Sequence, residues 1–136
     1  MSDIIKNLGN NPDGMTVYEA IVNSAAGTGE GLEALIDVLN EVDLTGQFFA
    51  SSARYLSALN AEAYGPHISR LIEGAIEKDR ERRYIGSLLE AIWGADYQER
   101  AAELRLKDDN FRRIYKRIYP NGTNVSETQQ PQTIKF

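Results

Sequence analysis

The stretch GLEALIDVLNEV, residues 31–42, decides the class of fold that the sequence predicts. Its apolar side chains recur every three or four residues, at Leu32, Leu35, Ile36, Leu39 and Val42. That spacing places them on one side of an α-helix, with acidic and amide side chains on the other. The stretch therefore predicts an amphipathic helix that packs against other helices.

Helical spacing of apolar residues continues along most of the chain, and no stretch alternates as a half-buried strand does. No internal repeat is evident. The sequence predicts an all-α fold, a single bundle of about six short-to-medium helices over residues 15–119. A flexible lead-in over residues 1–14 and an extended polar C-terminal tail over residues 120–136 complete the predicted organisation.

Several polar residues are predicted to begin or end these helices. Thr16 and Glu19 have capping-box spacing, which predicts Thr16 as an N-cap. Asp43 or Thr45 can cap the helix that contains Phe48, Phe49, Ala53, Leu56 and Leu59, which is predicted to be the central helix. A charge run over residues 77–83 suits either a solvated continuation or a bend, so residues 66–93 are open to one helix of about 42 Å or two.

Three glycines, Gly27, Gly29 and Gly31, alternate in AAGTGEGLEAL, residues 25–35. A phosphate-binding Walker A loop needs a lysine and a hydroxyl residue after its last glycine, but here leucine and glutamate follow. The glycine spacing also differs from the dinucleotide-binding fingerprint. The stretch is therefore predicted to be a turn in which Gly27 ends one helix and Thr28 caps the next. Anion binding at the following helix start is the alternative.

Composition excludes several kinds of chemistry. The chain has no cysteine, so disulfides, thiolate metal sites and cysteine nucleophiles are excluded. Its one histidine, His67, rules out a multi-histidine metal site and is expected to be exposed. We therefore predict no catalytic, cofactor-binding or metal-binding residues, and no enzymatic activity. The first residues lack the features of a signal peptide, and no apolar run suits a membrane span, so a cytoplasmic protein is expected.

Three carboxylates, Glu33, Asp37 and Glu41, recur at four-residue intervals on one helix face. Like charges at this spacing repel one another. The face could therefore attract a cation or a basic partner. Because neither a histidine nor a glycine-containing calcium loop accompanies these residues, a solvated face is the preferred prediction.

Charge is distributed unevenly along the chain. The formal net charge is −5, made up of −7 over residues 1–76 and +2 over residues 77–119. The last predicted helix carries Arg112, Arg113, Lys116 and Arg117 opposite its apolar stripe. These cations could complement the helix dipole, contact an acidic protein surface, or bind nucleic-acid phosphates while Tyr115 or Tyr119 stacks on bases.

The polar tail is too poor in apolar residues to fold alone. Its last residues, Thr133, Ile134, Lys135 and Phe136, alternate as a strand does and could add to a partner's sheet edge. In outline, a helical core with an extended arm looks like the small connector or adaptor proteins of tailed phages, a likeness of architecture that no motif carries. We predict a non-enzymatic assembly protein that docks onto other protein subunits as a homo- or hetero-oligomer. A nucleic-acid-binding module is the alternative.

Overall fold

Helices account for most of the part of the chain that the structure describes. The computed structural model describes residues 8–9 and 12–121, in which no strand occurs, so the all-α prediction is confirmed. Seven helices lie within these ranges, where the sequence predicted about six. They are α1 (Gly14–Ala26), α2 (Leu32–Val42), α3 (Gln47–Asn60), α4 (Gly65–Lys78), α5 (Gly86–Trp93), α6 (Ala101–Lys107) and α7 (Asp109–Ile118).

The helices form two layers around one core. In the first layer α4 lies between α2 and α7, and in the second α3 lies between α1 and α5. Helix α3 also packs along α4, which makes it the central helix that the sequence predicted. The prediction that Leu59 belongs to the core is wrong, because this residue lies near the C-terminal end of α3 and is 46% exposed.

The pair α2–α3 and the pair α4–α5 resemble each other at an offset of 36 residues, although the corresponding helices differ in length. We call each pair a unit. The first helices of the two units pack together, as do the second helices. Buried Leu35 and Ile36 correspond to buried Leu71 and Ile72. The sequence expectation of no internal repeat is not contradicted, because the equivalent positions hold few identical residues; the likeness is one of structural role.

A buried aspartate, Asp43, organises the loop of the first unit. Its Oδ1 accepts a hydrogen bond from the backbone N–H of Gly46 at 3.1 Å. Its Oδ2 accepts from the N–H groups of Phe48 and Phe49 at 2.9 and 2.8 Å. A carboxylate at this position satisfies the unpaired N–H groups at the start of α3. Asp43, one of the two residues that the sequence predicted as caps, therefore caps α3.

Asp79 does the same in the second unit, 36 residues later. Its carboxylate accepts hydrogen bonds from the backbone N–H groups of Arg83, Tyr84 and Ile85 at 2.9, 2.7 and 2.8 Å. The Asp79 side chain is 2% exposed. Because this loop turns the chain between α4 and α5, residues 66–93 form two helices and the continuous 42 Å rod does not exist.

The N-terminal caps differ from two of the sequence predictions. Asp13, rather than Thr16, is the N-cap of α1, and its carboxylate accepts a hydrogen bond from the N–H of Thr16 at 2.8 Å. The glycine stretch is a turn, with left-handed backbone at Gly29 and Gly31. Gly31 itself is the N-cap of α2, in the place predicted for Thr28.

Candidate functional site

Helix α7 lies at one edge of the first layer and differs in chemistry between its two sides. The Asp108 carboxylate begins the helix by accepting a hydrogen bond from the backbone N–H of Phe111 at 3.2 Å. Phe111, Ile114 and Tyr115 are buried, as their spacing predicted. The basic side chains of α7 consequently lie on the side turned away from the core.

Two of the four predicted partner-binding cations on α7 are engaged within the protein. The guanidinium of Arg117 donates hydrogen bonds to the backbone carbonyls of Ile76 and Asp79, each at 2.6 Å. These carbonyls lie at the C-terminal end of α4, where a cation also complements the helix dipole. Arg112 forms an ion pair with Asp109 at 2.6 Å. Arg117 therefore stabilises the fold.

The side chains of the other two cations, Arg113 and Lys116, make no hydrogen bond or ion pair within residues 8–9 and 12–121. Lys116 is exposed and Arg113 is half-buried. Both line a shallow groove of 460 Å³ between α4 and α7, which we call the basic groove. The groove is lined by Ile76, Arg112, Arg113, Lys116, Arg117 and Pro120. It combines free positive charge with apolar surface, a chemistry that suits an acidic amphipathic partner.

The tyrosines that were candidates for base stacking are engaged with other aromatic residues. Tyr115 is only 1% exposed, and its ring lies 5.3 Å from Phe111 and 4.7 Å from Tyr119, measured between ring centroids. Tyr119 is half-buried, and its hydroxyl lies 3.0 Å from that of Tyr97. The prediction that Tyr115 could stack on nucleic-acid bases is therefore wrong, because its ring is buried in the apolar stripe that packs α7 against the core.

Ionisation of Tyr97 should report on its hydroxyl contact with Tyr119. Burial, and then the hydrogen bond with Tyr119, raise the pKa of Tyr97 from 10.0 to about 12. The neutral form is favoured in the folded state, so its stabilising contribution is present below about pH 10 and is lost as the pH rises toward 12. In an alkaline absorbance titration, we expect Tyr97→Phe to remove a phenolate signal near pH 12. Tyr119→Phe should move that signal to lower pH, and an unchanged titration would contradict the assignment.

The acidic face of α2 is partly neutralised by one arginine of α4. Arg70 forms an ion pair with Glu33 at 2.9 Å and a second one with Asp37. The hydrogen bond to Asp37 is the main cause that raises the pKa of Arg70. The face remains exposed to solvent, in agreement with the preferred prediction, but the repulsion between its first two carboxylates is offset.

His67 is less exposed than the sequence suggested. It lies in the first turn of α4, and its side chain is 23% exposed because it packs between Tyr64 and Glu33. Its Nδ1 lies 3.3 Å from a carboxylate oxygen of Glu33. Since histidine and glutamate come from different helices, only the packing of α4 on α2 brings them together.

Sequence reasoning missed two carboxylates that lie beside the basic groove. Glu73 and Glu77 are exposed, four residues apart on α4, and line a second groove of 200 Å³ on the α2 side of that helix. Their spacing opposite the apolar stripe was the available signal. That spacing does not indicate that α7 packs beside α4.

Comparison with protein families, with characterised proteins and with solved structures gives no match to this chain. Within the described ranges, no three carboxylate or histidine groups are arranged to hold a metal ion. No helix in that part of the chain is both long and apolar enough to cross a lipid bilayer. The predicted tail contacts, Thr133, Ile134, Lys135 and Phe136, lie outside the described residues. Interpretation of the site therefore rests on the geometry around α7.

Proposed function

We propose that this protein is a non-enzymatic assembly protein that docks onto an acidic surface of a neighbouring protein subunit through the basic groove. The observation that carries the proposal is the pair of cations, Arg113 and Lys116, whose side chains pair with none of the described residues. The groove that they line has exposed Pro120 and the largely buried Ile76 as its apolar lining. Interfaces of proteins combine such an apolar centre with charged groups that orient the partner. In this role the protein is one component of a larger complex.

Three features favour a protein partner over the alternative, a nucleic acid. Only two of the four cations on the exposed side of α7 are free to contact phosphates, and sequence-independent affinity grows with the number of such contacts. Tyr115 is buried and cannot stack on a base. Glu73 and Glu77 lie on the adjacent helix, where they would repel a phosphate backbone.

A second contact is proposed for the tail. Thr133, Ile134, Lys135 and Phe136 would add as a strand to the sheet edge of another subunit of the complex, as their alternation predicts. This contribution remains a prediction from sequence, since these residues lie outside the described part of the chain.

The partner class can be tested with two labelled probes, an acidic helical peptide of repeating Glu-Ala-Ala and a short DNA duplex. Fluorescence anisotropy should show binding of the peptide, and R113E/K116E should weaken it at least about tenfold, a loss of about 1.4 kcal/mol. The matched control R80E/K107E reverses two cations that do not line the groove and should bind as the unmodified chain does.

Two outcomes would overturn the proposal. Equal peptide binding by R113E/K116E and by the control would remove the groove from the interface. Preferential binding of the duplex, weakening steeply with salt and lost in R113E/K116E, would establish the nucleic-acid alternative instead.

A further inference from the structure

The first layer also carries exposed acidic side chains on α2 and α4. Glu73 and Glu77 on α4 and Glu41 on α2 are all exposed. None of the three makes an ion pair or side-chain hydrogen bond with the residues the structure describes. We call these three residues the acidic strip. Their charges are not paired within the described residues. Arg70 lines the same groove as Glu73 and Glu77, but its guanidinium pairs with Glu33 and Asp37 instead.

The acidic strip and the basic groove lie on opposite flanks of one helix. On α4, Glu73 and Glu77 line the groove toward α2, whereas Ile76 lines the basic groove toward α7. Neighbouring helices in a layer lie about 8–10 Å apart, so the two regions are side by side on the same outer face. The face therefore changes from negative to positive across the width of α4.

We propose that the partner of the basic groove is a second copy of this chain, bound face to face by the first layers of the two copies. A two-fold axis near α4 would place the basic groove of each copy over the acidic strip of the other. The same contact then occurs twice, with Arg113 and Lys116 facing Glu73 and Glu77 each time. This inference rests on the proposed function, because it names the partner that the groove binds.

Charge complementarity favours a second copy of this chain, rather than a different protein, as the partner of the basic groove. A subunit surface of uniform negative charge, broad enough to cover both regions, would match the basic groove but would be repelled by the acidic strip, whereas a short acidic peptide can occupy the groove alone. A second copy rotated by a two-fold axis satisfies both regions at once. Exposed charges interact less strongly as salt increases, so the dimer should dissociate at about 1 M salt, where the Debye length is about 3 Å.

The test is charge reversal on each side, followed by sedimentation to measure the dimer dissociation constant. E73K/E77K and R113E/K116E should each weaken the dimer at least about tenfold, because each removes both copies of the contact. The control E62K/E90K reverses two exposed glutamates outside the strip and should dimerise normally. A chain ending at Asn121 should also dimerise, since both regions lie before that residue.

Restoration of the contact is the decisive arm. Mixing E73K/E77K with R113E/K116E should give a heterodimer, and the variant with all four reversals should dimerise with itself. A chain that is monomeric at every concentration, or a mixture that stays monomeric, would overturn the inference. If the acidic peptide still binds in that case, the proposed function stands and only the identity of the partner fails.

Discussion

Replacing Asp79 by alanine is expected to lower the free energy of unfolding by about 3–5 kcal/mol, the largest effect of any single substitution considered. The carboxylate accepts three backbone hydrogen bonds in a site that is 2% exposed. Alanine would leave the N–H groups of Arg83, Tyr84 and Ile85 without their acceptor. Each buried donor without a partner costs about 1–3 kcal/mol, partly relieved by water that enters the site.

Urea unfolding followed by circular dichroism measures this loss. The matched control is Glu81→Ala in the same loop, because Glu81 is exposed and pairs only with exposed Arg83. We expect the control to change stability by no more than about 0.5 kcal/mol. If Asp79→Ala and Glu81→Ala unfolded at the same urea concentration, the capping role of Asp79 would be wrong.

Replacing Gly46 by alanine is expected to cost about 2–4 kcal/mol, for two separate reasons. Gly46 has a φ of +85°, a left-handed backbone that costs a residue with a Cβ about 1–2 kcal/mol. A Cβ there would also lie 3.1 Å from the carbonyl oxygen of Ala75 and from the backbone nitrogen of Asp79. Relief of that contact would have to move the end of α4, at an overpacking cost of about 1–3 kcal/mol.

Gly86→Ala is the matched control for this second prediction. A Cβ on Gly86 would make only an ordinary contact, 3.4 Å from the end of the Ile118 side chain, and its backbone is not left-handed. Thermal unfolding should therefore leave Gly86→Ala close to the unmodified chain, while Gly46→Ala melts at a markedly lower temperature. Equal melting temperatures for the two variants would show that the loop of Asp43 can shift at no cost.

The helices and their buried faces could largely be predicted from the sequence. The helix predicted over residues 31–42 is observed as α2, which begins one residue later at Leu32, and the apolar stripe of α7 is buried at Phe111 and Ile114. This succeeded because a 3.6-residue period is a local property of the chain, which tertiary packing uses but does not alter. Prediction of the basic side of α7 followed from the same period.

The candidate site could be predicted only in part. The four cations of α7 were identified, but Arg117 bonds to carbonyls at the end of α4, about 40 residues away in sequence. The acidic strip was missed because its position relative to the basic groove depends on which helices pack beside α4. Contacts of this kind are set by packing in three dimensions, and no periodicity within one helix contains them.

By itself, the sequence determined the all-α class, the buried faces of the helices and the uneven distribution of charge. The tertiary structure alone decided that Asp43 and Asp79 have one role. It also placed Arg82, with a φ of +61°, at the position equivalent to Gly46 in the second unit. An arginine in the sequence does not indicate a left-handed backbone as a glycine does. The likeness of the two loops was hidden for that reason: they share a positive φ three residues after the aspartate and carboxylate bonds five and six residues after it, whereas their sequences share little beyond the aspartate.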